Sequence, residues 1–86
     1  MKKIAVFGAG GFGREIACLI NRINLKKNIW NFIGYFDDDE NLWGTENEYG
    51  KILGGSAMLN EWDEPIDVAI AVGTPRALKT IREKLY

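Results

Sequence analysis

The chain has 86 residues, 47% of them hydrophobic, with a formal net charge of −1. That size suits one globular domain and leaves room for little more than one half of a complete dinucleotide-binding fold, while the near-neutral charge excludes a broad basic surface for nucleic acid. A single cysteine, Cys18, and no histidine exclude an internal disulfide and argue against a zinc site.

Residues 2–7 contain the apolar run Ile4-Ala5-Val6-Phe7 and read as a buried parallel strand. Because Met1-Lys2-Lys3 passes into this strand and not into a long apolar segment, neither a signal peptide nor a membrane span is expected, and the inferred location is cytoplasmic. The turn Gly8-Ala9-Gly10-Gly11-Phe12-Gly13 follows, and a helix over about residues 13–25 starts after it. Strand, glycine-rich turn and helix in this order suit an anion: glycines let the backbone turn tightly and approach closely, and free amides at the helix N-terminus point at negative charge. A nucleotide phosphate is the expected anion, and a plain strand-to-helix turn that binds nothing is the alternative. In the helix, Ile16, Leu19, Ile20 and Ile23 follow i, i+3, i+4, i+7 spacing and are expected on the buried face, with Cys18 beside it as a packing thiol.

The second strand is expected over 29–36, where Phe32, Ile33, Tyr35 and Phe36 favour a pleated surface. Asp37-Asp38-Asp39-Glu40 ends it, and a loop of about 14 residues carrying Trp43, Gly44, Tyr49 and Gly50 follows, long enough to suggest a function. Lys51-Ile52-Leu53 offers a short extended piece. Ser56 reads as the N-cap of a helix over 57–62 with Met58, Leu59 and Trp62 on one face. After Pro65 a third main strand is expected over 66–72, and Thr74-Pro75 makes a cap and first-turn pair for a last helix over 75–85. Alternating strands and helices predict an α/β, Rossmann-like three-layer domain with a short parallel sheet.

Ligands of such sheets bind beyond the carboxyl ends of the strands, where three features converge. The glycine turn follows the first strand, Asp37 and Asp38 follow the second, and Val72, Gly73 and Thr74 follow the third. Asp37 lies 24 residues beyond Gly13, close to where a dinucleotide fold sets a carboxylate against ribose hydroxyls. A carboxylate repels a diphosphate, so the phosphates belong at Gly10 to Gly13. The bland alternatives are a solvated acidic turn and a simple Thr74 helix cap. Trp30, Trp43, Tyr49 and Trp62 are expected in core or inter-subunit packing and not as base-stacking platforms. With no histidine, no Cys–His pair and no GxSxG elbow, no catalytic residue is assigned.

The segments IAVFGAGGFGREIACLI, FIGYFDDDENLWGTENEYGKILGG and DVAIAVGTPRALKTIREKL together resemble the N-terminal domain of bacterial sugar O- and N-acyltransferases of the sialic-acid O-acetyltransferase and bacillosamine-pathway type, from Ile4 to Leu85. The resemblance implies a Rossmann-like domain that holds the nucleotide part of a UDP-amino-sugar. The expected substrate-binding positions are Gly8, Gly10, Gly11, Phe12, Gly13, Asp37, Asp38, Val72, Gly73 and Thr74; the resemblance implies phosphates near Gly10, Gly11 and Phe12, uridine near Asp37 and Asp38, and further contact from Val72, Gly73 and Thr74. Relatives often carry histidine at position 12, where this chain has Phe12. A C-terminal left-handed β-helix with the catalytic histidine, the acetyl-coenzyme A site and the trimer contacts is implied beyond Tyr86, so neither catalysis nor cofactor is expected of this chain alone. Two rival readings are a nicotinamide- or flavin-binding half of an oxidoreductase, and an interaction module with a vestigial site that uses Trp43, Tyr49 and Trp62.

Overall fold

The computed structural model describes residues 2–71, so the expected helix over 75–85 and the site residues Val72, Gly73 and Thr74 lie outside the described residues. Within them, strand β1 (Lys2–Phe7) leads through helix α1 (Gly11–Lys26) to strand β2 (Trp30–Phe36). A 3-10 turn (Glu40–Leu42), strand β3 (Ile52–Gly54), helix α2 (Ser56–Asn60) and strand β4 (Asp67–Ile70) complete the order. The sheet runs β3-β2-β1-β4 with every named pair parallel. The predicted α/β, Rossmann-like architecture is the one observed, and Lys51-Ile52-Leu53 does seed a fourth strand.

Side-chain alternation divides the core between two faces of this sheet. Ile4 and Val6 of β1 pack with Ala17 and Ile20 of α1, Tyr35 and Ile52 on one face. Ala5 and Phe7 pack with Phe36 and Leu59 of α2 on the other. Strict alternation along β2 would place Phe32 and Tyr35 on opposite faces, yet both join the α1 side. A register shift opposite Ile4 and Ala5 inserts one extra residue into β2 and resets the phase. Gly34 makes this bulge possible, with φ of 137° and a would-be Cβ only 2.6 Å from the Lys51 carbonyl oxygen.

Two expectations about α1 need correction. It starts at Gly11, so that Gly11, Phe12 and Gly13 form its first turn and do not precede it. Its buried residues are Gly13, Ala17 and Ile20, whereas Leu19 and Ile23 of the expected stripe are exposed. Close seating on the glycine turn, allowed by the missing Cβ of Gly13, centres the helix face on small residues and rolls the larger ones outward. The α2 helix also differs: it spans Ser56–Asn60, and Gly55 is its N-cap. Met58 is exposed where a buried face was expected, and Leu59 alone of the helix is buried.

The long loop after β2 is tied down and compact. Glu46 and Lys51 form an isolated antiparallel bridge, and the Gly44 and Ile52 amides donate to the Ile52 and Thr45 carbonyls at 2.9 Å each. Asn47 anchors its tip: Oδ1 accepts from the Tyr49 amide at 2.9 Å, and Nδ2 donates to the buried Tyr35 hydroxyl at 3.0 Å. An Asn turn of this kind closes a loop on itself and fixes it to the strand below.

Candidate functional site

The chain winds from β1 through β2 to β3, then crosses back to place β4 on the far side of β1. The glycine turn leaves the carboxyl end of β1 beside this reversal, which is the favoured place for a ligand on such a sheet. The Ala71 amide donates to the Phe7 carbonyl at 2.8 Å and so holds the β4 end against the same spot.

Within the turn, the glycines answer to different constraints. Gly8 has φ of 106°, a backbone that side chains rarely adopt. A Cβ at Gly13 would lie 1.8 Å from the Gly8 carbonyl oxygen, so helix and turn can meet only without one. Gly10, by contrast, has φ of −71°, and neither Gly10 nor Gly11 has any described atom within 4 Å of a would-be Cβ. The described fold therefore needs Gly8 and Gly13, while Gly10 and Gly11 leave open space beside the start of α1. Among the described residues no side chain caps that helix, and no acid lies in its first turn. Its first amides have no intrahelical carbonyl to meet, and the partial positive charge of the helix end is directed at the open space. Phe12, half exposed at this end, supplies apolar surface and no polar contact.

Asp37 and Asp38 stand at the adjoining strand end with different partners. Asp37 Oδ2 accepts the Ala9 N–H and Oδ1 accepts the Asp39 N–H, each at 2.9 Å. Asp38 Oδ1 accepts both the Ser56 N–H at 2.8 Å and the Ser56 hydroxyl at 2.9 Å, which makes it the side-chain acceptor at the start of α2. The two carboxylates thus bracket β2 to the turn after β1 and to the turn after β3. Each Asp37 oxygen accepts one of these bonds and has more than one lone pair, which leaves capacity for a ligand donor.

Beyond Asp38 lies an open groove of about 870 Å³. Trp43, Met58 and Trp62 give it aromatic and thioether surface, Gly54, Gly55 and Ser56 give it main chain, and Glu40, Glu61 and Asp63 give it an acidic margin. The Trp43 Nε1 donates to the Asp37 carbonyl at 2.7 Å, which fixes the indole beside the site while 44% of the residue stays exposed. Trp62 packs edge-on against Phe36, with ring centroids 5.5 Å apart. Of the aromatics expected in core or inter-subunit packing, Trp30, Tyr49 and Trp62 pack against the core, whereas Trp43 lies outside it. The short sequence signal for Trp43, an aromatic four residues beyond Asp39 in a polar stretch, gave no hint of the bond to Asp37.

On the other flank, Arg14 of the first α1 turn pairs with Glu48 of the loop at 2.5 Å, and its guanidinium lies 5.7 Å from the centre of the Tyr49 ring. The Arg14 hydrogen bond holds the Glu48 carboxyl below its ordinary range, and the Tyr49 phenol is raised chiefly by a hydrogen bond with Cys18. Cys18 is half-buried against this loop, in keeping with a packing role. Among the described residues, no cluster of three or more His, Cys, Asp or Glu is arranged for a metal ion, and no helix is long and apolar enough to cross a membrane.

Residues 3–85 match the family described as the PglD N-terminal domain. Similar solved structures include the following two. The acetyltransferase domain of PglB from Neisseria gonorrhoeae FA1090, solved in complex with acetyl coenzyme A, has 29% identity and a TM-score of 0.66 over 98% of this chain and 38% of its own. RSP, a Rex-family repressor, superposes with a TM-score of 0.75 at 20% identity, over 99% of this chain and 40% of its own, which speaks for the fold alone. The chain thus spans about two fifths of the length of either structure. No curated protein matches it in sequence.

Proposed function

Because this chain belongs to the PglD N-terminal domain family, and so is an acetyltransferase-family domain, we propose that it binds the nucleotide part of a UDP-linked amino sugar for a sugar acetyltransferase. The observation that carries the proposal is the open space at Gly10 and Gly11, which the described fold does not require and which faces the uncapped start of α1. There a diphosphate meets main-chain donors and the positive end of a helix with no described side chain in the way. No lysine is needed: the site neutralises the phosphates by dipoles, in keeping with a chain of net charge −1.

The same geometry supports a place for the remainder of the ligand. Asp37 lies beside the turn and suits ribose hydroxyls as an acceptor, while the carboxylate margin of the groove disfavours any further phosphate there. A neutral, flat base suits the groove past Asp38, against the exposed indole of Trp43. Val72, Gly73 and Thr74 are proposed to complete the pocket from the β4 end. Acyl transfer, acetyl-coenzyme A binding and trimer formation are assigned to a partner domain, since this chain supplies no histidine and its two best-placed carboxylates hold the fold together.

Calorimetric titration with UDP, UDP-N-acetylglucosamine and NAD, side by side, tests the proposal. Saturable binding of both uridine ligands and none of NAD is the expected result. Binding of NAD alone would return the chain to the oxidoreductase reading.

A further inference from the structure

The Asp37 carboxylate faces inward to the turn as well as outward to any ligand. Its Oδ2 holds the Ala9 amide at 2.9 Å, and the neighbouring Phe36 carbonyl holds the Gly8 amide at 2.8 Å. Two consecutive residues at the end of β2 thus grip two consecutive amides of the turn that leaves β1. Past Ala9, the next main-chain bond is the first of helix α1 itself, from the Arg14 amide to the Gly10 carbonyl at 3.0 Å. The bond to Ala9 is therefore the last tether from the neighbouring strand before the open pair Gly10 and Gly11. The Ala9 position also follows Gly8, whose backbone is the one left-handed point of the turn and has the most conformational freedom to lose.

We propose that Asp37 is a positioning residue for the phosphate-binding turn, acting on the anion through the Ala9 main chain; this rests on the nucleotide-binding reading above and deepens it. A carboxylate so placed exerts two opposed effects on a bound anion. Its charge repels a phosphate. Its acceptance of the Ala9 N–H holds the following amides in register, so that they do not have to be ordered when the anion arrives. Two substitutions separate these effects. Asp37→Asn removes the charge and keeps one acceptor oxygen, for Ala9 at the expense of the bond from the Asp39 N–H, whereas Asp37→Ala removes the charge and both acceptors.

The test is an NMR titration of the isotopically labelled 86-residue chain and both variants with inorganic pyrophosphate, and separately with uridine. The expected result is that D37A binds pyrophosphate about fivefold more weakly than D37N, the scale of one neutral hydrogen bond. Hydrogen exchange at the Ala9 amide should quicken about tenfold in D37A alone, while amides of β1 and the middle of α1 keep their protection and so report an intact fold. Equal and tighter pyrophosphate binding by both variants would mean that Asp37 acts by charge repulsion, and would overturn the inference. So would a loss of uridine binding with pyrophosphate binding and Ala9 exchange unchanged, the signature of a direct nucleoside contact. Failure of the unsubstituted chain to bind either probe would overturn the site itself, and this inference with it.

Discussion

An alanine at position 13 would put its Cβ 1.8 Å from the Gly8 carbonyl oxygen, an overlap between main-chain positions that no rotamer relieves. Gly13→Ala should therefore destabilise the domain by about 3 kcal/mol or more, as helix and turn are forced apart. Gly11→Ala meets nothing within 4 Å and sits in a helical turn, so its effect on stability should stay within about 1 kcal/mol. Its methyl group nevertheless projects into the space assigned to the phosphates. Thermal or denaturant unfolding together with UDP titration checks the pair: G13A should lose stability, and G11A should keep stability and lose binding. Equal UDP affinity in G11A and the unsubstituted chain would remove that space from the site. The sequence pattern alone treats these glycines alike, because their distinction depends on which atoms stand opposite each one. The same holds for Asp37 and Asp38, adjacent in sequence and bonded to turns 28 and 18 residues away.

The loop between β2 and β3 is the element whose docking depends most on charge. Arg14 and Glu48 join it to the first turn of α1, with Tyr49 under the guanidinium and Asn47 pinned to Tyr35. Both ionic partners are about half exposed, so the pair is screened by salt and holds a local position, contributing little to global stability. Because the folded Glu48 carboxyl titrates below its ordinary value, its share of the docking is complete above that ordinary value. It is lost as pH falls through the depressed one. Amide exchange at Tyr49 and Gly50, relative to amides of the sheet, should rise as pH is lowered through this range after correction for intrinsic rates. Glu48→Gln should abolish that pH dependence, and a loop that behaves identically in E48Q would show that Asn47 and the main-chain bonds hold it without the Arg14–Glu48 pair. At this scale, β1 and β2 and their order were legible because apolar runs bounded by glycines and acids mark buried strands. The rolled face of α1 and the resetting of β2 at Gly34 were not, since both arise from contacts between elements: Gly13 on Gly8, and Gly34 under Lys51.

In the whole molecule, the sheet order β3-β2-β1-β4 brings the glycine turn, the Asp37–Asp38 bracket and the Trp43 groove to one end, on neighbouring strands. In the proposed function, phosphate, ribose and base would lie in sequence along that edge, from dipoles to carboxylate to aromatic surface. The glycine turn was legible in the sequence, where strand, glycines and helix follow one another within a few residues. The groove was not, because Asp38, Trp43, Met58 and Trp62 meet only once β3 and α2 are folded beside β2. The most direct test of the account is an NMR titration of the labelled chain with UDP, read residue by residue. It predicts saturable shifts at the amides of Gly10, Gly11 and Phe12 and at the Trp43 indole N–H, with the Leu19–Lys26 half of α1 unmoved. Absence of shifts at the glycine turn under saturating UDP, or shifts confined to the far half of α1, would contradict it.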